Sequence, residues 1–212
     1  MSPAKPVSPT PPALLKARKT PDLVEVPARK VLSRTGSGGP EEAAFSDAVG
    51  ALYGVAYTLK FARKKAGLPI NKVGALEGEW SAEGQDLPLH GVPARETWRW
   101  QVRLAVPDDT TEAEVTAAIE AVTTKKRGKL FDSEEARQVR LEALTPARFA
   151  RILHVGPFAD EPASFARINT LLEARGLRRE LWHVEVYLSD PSRTPQARMK
   201  TALLAPLVDE SG

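Results

Sequence analysis

Two stretches of this chain repeat one layout, and that repeat restricts the fold more than any other feature. The first runs Ala28-Arg-Lys-Val-Leu-Ser33, then Gly39-Pro40, then Glu41-Glu-Ala-Ala-Phe45 and a helical pattern. The second runs Ala147-Arg-Phe-Ala-Arg-Ile-Leu153, then Gly156-Pro157, then Asp160-Glu-Pro-Ala-Ser-Phe165 and another helical pattern. In both, an extended run ends at Gly-Pro, and a helix opens with acids that suit its positive end. Each helix is followed by an extended segment with one central acid: 73–80 with Glu77, and 182–188 with Glu185. A further strand closes each copy, 98–106 and 199–207. The unit is β-α-β-β, twice, over about 21–128 and 139–208, with an extra helix between. Two copies are too few for a solenoid. They predict an α+β fold with antiparallel sheets and helices around a pseudo-twofold groove, the kind of place where small molecules bind.

The helices follow from spacing. Phe45, Val49, Leu52, Ala56 and Leu59 recur every three to four residues and predict a helix over 41–66. Thr111-Glu-Ala-Glu114 has capping-box spacing and opens the extra helix, which Gly128 closes. Phe165, Ile168 and Leu172 mark the buried stripe of a helix over 160–176. The run 23–33 reads as one strand interrupted by Pro27, and 129–138 as a connector. Residues 1–20, with five prolines, are expected to be a disordered basic tail ahead of the 21–208 domain.

Several classes drop out. There is no cysteine, so no disulfide framework, thiolate metal site or cysteine nucleophile. Three scattered histidines argue against a metal site on residue type alone, and no metal or cofactor is expected. No apolar run approaches membrane-span length, and the N-terminus lacks a secretory pattern, so a soluble cytoplasmic protein is the expectation. The formal charge is +3, but the first 19 residues carry four cations and no acid, leaving the remainder near neutral. The cluster Lys125, Lys126, Arg127, Lys129 reads as a helix end and loop. No specific nucleic-acid partner is expected. The oligomeric expectation is a monomer or weak dimer.

The chemistry-bearing residues are fewer. Strand alternation puts His183, Glu185 and Tyr187 on one face of 182–188 and Val184, Val186 and Leu188 on the other. The apolar face must pack, so Glu185 is either a solvated acid or the anion of a pocket. Glu77, its repeat-mate, is either a surface acid beside Glu79 or a second carboxylate facing the same cavity, where two acids can hold different protonation states. Trp98 and Trp100 are either core or cavity wall. Trp80, beside a long loop, reads as cavity wall. Tyr53 and Tyr57 lie off the buried helix stripe, as rim residues or hydroxyl donors. Phe158 ends the second Gly-Pro turn and covers the groove. His154 and Trp182 complete the candidate ligand-binding set, since flat rings stack on flat ligands and attract cations. His154 and His183 sit on different strands and do not form a metal pair.

His154-Val-Gly-Pro-Phe158, Leu52-Tyr-Gly-Val-Ala-Tyr-Thr-Leu-Lys-Phe61, Leu76-Glu-Gly-Glu-Trp80 and Glu185-Val-Tyr-Leu-Ser-Asp-Pro191 stand in that order. With the doubled unit they resemble the gyrase-inhibitor-like (GyrI-like) small-molecule-binding domain, in its standalone branch, over about residues 20–208. The resemblance implies a tandem SHS2-like fold and places Glu185 among aromatic rings that attract planar, often cationic ligands. Standalone members hydrolyse the strained cyclopropane of DNA-alkylating natural products. By that resemblance Glu185 or Glu77 would deprotonate water, Tyr187 or Trp80 would hydrogen-bond the dienone oxygen, and the role would be detoxification. The alternative is a non-catalytic module that sequesters or senses such ligands. In regulators of this family a helix-turn-helix precedes the domain, and 20 residues are too few for one.

Overall fold

The computed structural model describes residues 8–69, 71–86, 95–124, 133–190 and 192–208. The first seven residues, the basic cluster at 125–129 and Gly128 lie outside them. Eight strands form one antiparallel sheet: β1 (Asp22–Val26), β2 (Arg29–Ser37), β3 (Leu76–Ala82), β4 (Trp98–Val106), β5 (Arg140–Leu144), β6 (Ala147–Val155), β7 (His183–Tyr187) and β8 (Lys200–Pro206). Their order is β1-β6-β8-β7-β3-β4-β2-β5. The described helices are α1 (Pro12–Leu15), α2 (Ala43–Lys65), α3 (Glu112–Thr123), α4 (Ser133–Arg137) and α5 (Glu161–Glu173). None is long and apolar enough to cross a membrane.

The repeat is visible in that order. Elements β2, α2, β3, β4 and elements β6, α5, β7, β8 are the two copies, and they meet where β3 pairs with β7 at the middle of the sheet. The expected single strand over 23–33 is two strands. Pro27 removes a ladder donor, and β1 pairs with β6 of the other copy, while β5 pairs with β2. Only two residues join β1 to β2, and only two join β5 to β6. Such linkers span about 10 Å, whereas six strand spacings on a flat sheet span about 29 Å. The sheet therefore curls until its ends approach each other.

One face of the sheet carries the helices. Leu32, Val102 and Leu104 pack under Leu52, Val55 and Leu59 of α2 and Val115 and Val122 of α3. In the second copy Ile152 and Leu203 pack under Phe165, Ile168 and Leu172 of α5. The predicted capping box is present: Glu114 N donates to Thr111 Oγ1 at 3.3 Å, and Thr111 N donates to Glu114 Oε2 at 2.8 Å. The expected α2 stripe divides. Leu52, Ala56 and Leu59 are buried, whereas Phe45 and Val49 are half-buried and face a cavity. Part of the predicted 129–138 connector is helical, as α4.

The other face is apolar in one half and charged in the other. Val26, Phe149, Val184, Val186, Ala202 and Leu204 form an apolar cluster closed by Leu14, which is 1% exposed. This corrects the expectation of a disordered segment through residue 20. From residue 8 onward the segment packs on the sheet. Leu153 N donates to Arg18 O at 2.6 Å, and the Arg151 guanidinium donates to Ala13 O. Prolines forbid a ladder but not burial: Pro12 opens the short helix that delivers Leu14, a side chain whose burial stabilises by roughly 1.5–3 kcal/mol.

Candidate ligand cavity between the two halves

A cavity of about 1050 Å³ lies on the helix-bearing face, above β3 and β7 and between α2 and the start of α5. Register explains its floor. Gly78 pairs with Glu185 and Trp80 with His183, so Trp80, His183, Glu185 and Tyr187 all face it. Gly78 is required there: a Cβ at that position would stand 2.9 Å from both Trp80 Nε1 and Tyr187 Oη. With no side chain between them, Trp80 Nε1 donates to Tyr187 Oη at 3.0 Å.

The walls are aromatic. Phe45 stacks on Trp80 with centroids 5.2 Å apart, and Trp98 meets Trp80 edge-on at 5.8 Å. Phe158 meets Tyr187 edge-on at 6.0 Å, and Phe165 meets His183 at 4.9 Å. Tyr53 and Tyr57 of α2 line one side. Such ring faces favour flat and cationic guests.

Two carboxyl groups meet at the floor. Glu161 is the first residue of α5 and is 7% exposed; Glu185 is 9% exposed. Burial, then the charge of Glu185 and a hydrogen bond to it, push the Glu161 carboxyl well above the usual carboxylate range. Burial beside a second carboxyl thus favours the protonated form of Glu161, as expected of close carboxyls that resist ionising together. Its Oε1 is buried without a hydrogen-bond partner among the described residues. Glu185 Oε1 lies 3.1 Å from His183 Nε2. Burial first, then the Glu185 charge, raises Tyr187 well above its ordinary value, so the phenol stays protonated. Burial, Tyr57 and Asp190 raise Tyr53 likewise.

A turn at the end of β6 sets where Glu161 stands. Gly156 has φ +140°, a conformation that glycine adopts freely. Buried His154 fixes the turn, with Nε2 3.0 Å from Pro157 O and Nδ1 3.0 Å from Ser164 Oγ. His154 is therefore a brace beneath the site and does not line the cavity, contrary to expectation.

Of the expected set, Glu185, Tyr187, Trp80, Tyr53, Tyr57 and Phe158 line the cavity. Besides His154, three others do not. Glu77 pairs with Val186, one residue out of register with Glu185, and so points to the opposite face. A slip of one residue exchanges the two faces of a strand. There Glu77 is fully buried and bound to Arg29 at 2.5 Å, with burial raising its carboxyl and Arg29 offsetting part of the rise. Trp182 packs on that face too. Trp100 is buried below Phe45 and contributes core. Trp98, open between core and cavity wall in the sequence, lines the cavity, and the structure adds Glu161, His183, Phe45, Phe165 and Asp190. Glu161 carries a signal in the sequence, an acid four residues after the second Gly-Pro, but an acid there also suits the helix start alone.

The profile of the GyrI-like small molecule binding domain matches residues 104–208. No curated protein sequence matches the chain. Among solved structures, an uncharacterized conserved protein from Listeria innocua is similar at 30% identity and TM-score 0.80, over 91% of this chain and 94% of that one. A hydrolase from Listeria innocua is similar at 28% identity and TM-score 0.77, over 91% and 94%. The EcmrR C-terminal domain shares the fold alone, at 11% identity and TM-score 0.52 over 89% and 97%. With the doubled unit and the aromatic cavity at its centre, the chain belongs to the GyrI-like small-molecule-binding family.

Proposed function

We propose that this protein takes flat aromatic compounds into the central cavity and hydrolyses an activated cyclopropane in them, protecting the cell from DNA-alkylating toxins. The observation that carries the reading is the Glu161–Glu185 pair at the floor of an aromatic cavity, with the Glu161 carboxyl held well above the usual carboxylate range by burial and by Glu185. Environments that separate two carboxyl groups in this way assign an acid and a base. The similarity to a hydrolase from Listeria innocua supports the same direction.

The chemistry balances on these two groups. Water forms a C–O bond to the cyclopropane methylene carbon while the bond from that carbon to the spiro centre breaks. The released pair moves through the dienone to its oxygen. Glu185 takes the proton that water loses, and Glu161 supplies one to the oxygen that becomes phenolic. The proton then passes from Glu185 back to Glu161 at the cavity floor, so the pair ends as it began. Tyr187, held by Trp80, orients Glu185. Ring strain provides driving force, and no further group is needed to balance the step.

A second reading has its own support. Glu185 stands 3.1 Å from His183 Nε2 and beside Glu161 and Tyr187, which suits a fixed carboxylate that holds a planar cation without reacting. One experiment separates the two. The protein is titrated with a spirocyclopropyl-cyclohexadienone while tryptophan fluorescence and product mass are followed. Hydrolysis expects saturable quenching and a product heavier by one water. Quenching with unchanged ligand mass expects the sequestering module, and no quenching refutes both.

A further inference from the structure

One buried ring at the cavity floor takes no part in the proton transfers. His183 opens β7, is 5% exposed and lies on the same strand face as Glu185. Alternate residues of a strand stand about 7 Å apart along it, so an imidazole at 183 reaches the carboxyl group at 185. Its two nitrogens have different surroundings. Nε2 lies 3.1 Å from Glu185 Oε1, whereas Nδ1 is buried with no hydrogen-bond partner among the described residues. The ring is held at this contact from behind. Phe165 meets it edge-on with centroids 4.9 Å apart, and the Arg179 guanidinium stands 5.8 Å from the Phe165 centre. Arg179 is fixed in turn by Asn169 Oδ1 at 2.8 Å, by Glu180 O at 2.9 Å and by Asp86, which follows β3 of the other copy.

That pairing decides where the ring proton sits. As the base of the proposed reaction, Glu185 presents a carboxylate oxygen, which accepts and does not donate. A proton on Nδ1 would leave a buried donor unmade and set the Nε2 lone pair against those of Oε1. A proton on Nε2 is donated to Oε1 and leaves only a lone pair at Nδ1. We infer that His183 is a positioning residue, whose Nε2–H holds Glu185 Oε1, fixes the rotamer of the carboxyl group and leaves Oε2 as the oxygen that takes the proton from water. This rests on the hydrolytic reading above and adds to it a residue that acts through Glu185. The second copy thereby sets the aim of the base, through Phe165 and Arg179 behind the ring.

Two variants and one label test it on the full chain. In His183→Gln the amide nitrogen stands where imidazole Nε2 does and keeps the donor, whereas His183→Leu fills similar space without one. Thermal melting checks that both fold. The native chain, labelled with nitrogen-15 histidine, reports the tautomer by nuclear magnetic resonance, the His183 signal being the one that both variants lose. The proton is expected on Nε2, and a proton on Nδ1 alone overturns the proposal whatever the variants do. Turnover of a spirocyclopropyl-cyclohexadienone is then compared. His183→Leu is expected to lower kcat by about ten- to hundred-fold, the contribution of a hydrogen bond to a charged group. Its KM is expected to stay within about three-fold of native, because aiming the base acts on the chemical step. His183→Gln is expected to recover most of the lost kcat. Native turnover in His183→Leu, or a His183→Gln no better than His183→Leu, overturns the positioning role while leaving the hydrolytic reading intact. No turnover in the native chain overturns both.

Discussion

Replacing Glu161 with Gln tests the acid–base pair through both stability and chemistry. Gln keeps the shape and can still donate to Glu185, but it has no proton to release. In the native chain the Glu161 carboxyl is raised well above its unfolded value of 4.5, by burial and then by Glu185. The folded protein thus holds this proton over a range of pH in which the unfolded chain has lost it. Its stabilising contribution is complete below the unfolded value and is lost as pH rises through the folded one. Within that window the native chain loses about 1.4 kcal/mol per pH unit relative to E161Q, one proton's worth. Glu77 is raised as well and slopes the same way, but it is present in both chains and cancels in the difference. Urea unfolding followed by tryptophan fluorescence from pH 5 to 9 reads the difference directly. E161Q is expected to gain on the native chain as pH rises, then run parallel once Glu161 is ionised in both states. Turnover of a cyclopropanoid is expected to fall by about 10²–10⁴-fold, the usual contribution of a positioned acid, with quenching by the ligand retained. Parallel stability curves throughout, or full turnover in E161Q, refute the assignment.

Other perturbations follow from the same geometry. Arg29→Ala leaves Glu77 buried without its partner and is expected to cost about 3–5 kcal/mol in urea unfolding, while ligand affinity of the folded fraction stays unchanged because the pair lies on the opposite face. Leu14→Ala is expected to cost about 2–5 kcal/mol in the same assay, since Leu14 closes the apolar cluster behind β7. A melting profile identical to the native chain contradicts that packing. Gly78→Ala drives a methyl between Trp80 and Tyr187, and is expected to weaken quenching by planar ligands at least ten-fold without loss of far-ultraviolet circular dichroism.

Much of the fold and part of the site were legible in the sequence. The repeated strand, Gly-Pro turn and helix gave both copies, and alternation along 182–188 put His183, Glu185 and Tyr187 on one face. What failed was register. Aligning the two central acids made Glu77 the mate of Glu185, yet the backbone pairs Gly78 with Glu185. A period of two gives no warning of a one-residue offset. Strand exchange was equally hidden, because Pro27 signals a break but not which half receives β1. Leu14 was masked by prolines whose composition alone suggests disorder. Glu161 was visible as a residue, but its pairing depends on how α5 is aimed by the turn that His154 holds, and that is a property of the packed structure.

The most direct test of the central claim uses water enriched in oxygen-18. The native chain and Glu185→Gln are incubated with a spirocyclopropyl-cyclohexadienone, and the product is weighed by mass spectrometry. The native chain is expected to form, over many turnovers, a ring-opened alcohol carrying one heavy oxygen at the former cyclopropane methylene, and Glu185→Gln is expected to bind the compound without forming it above background. Equal product from both chains, or none above background from the native chain, contradicts the account.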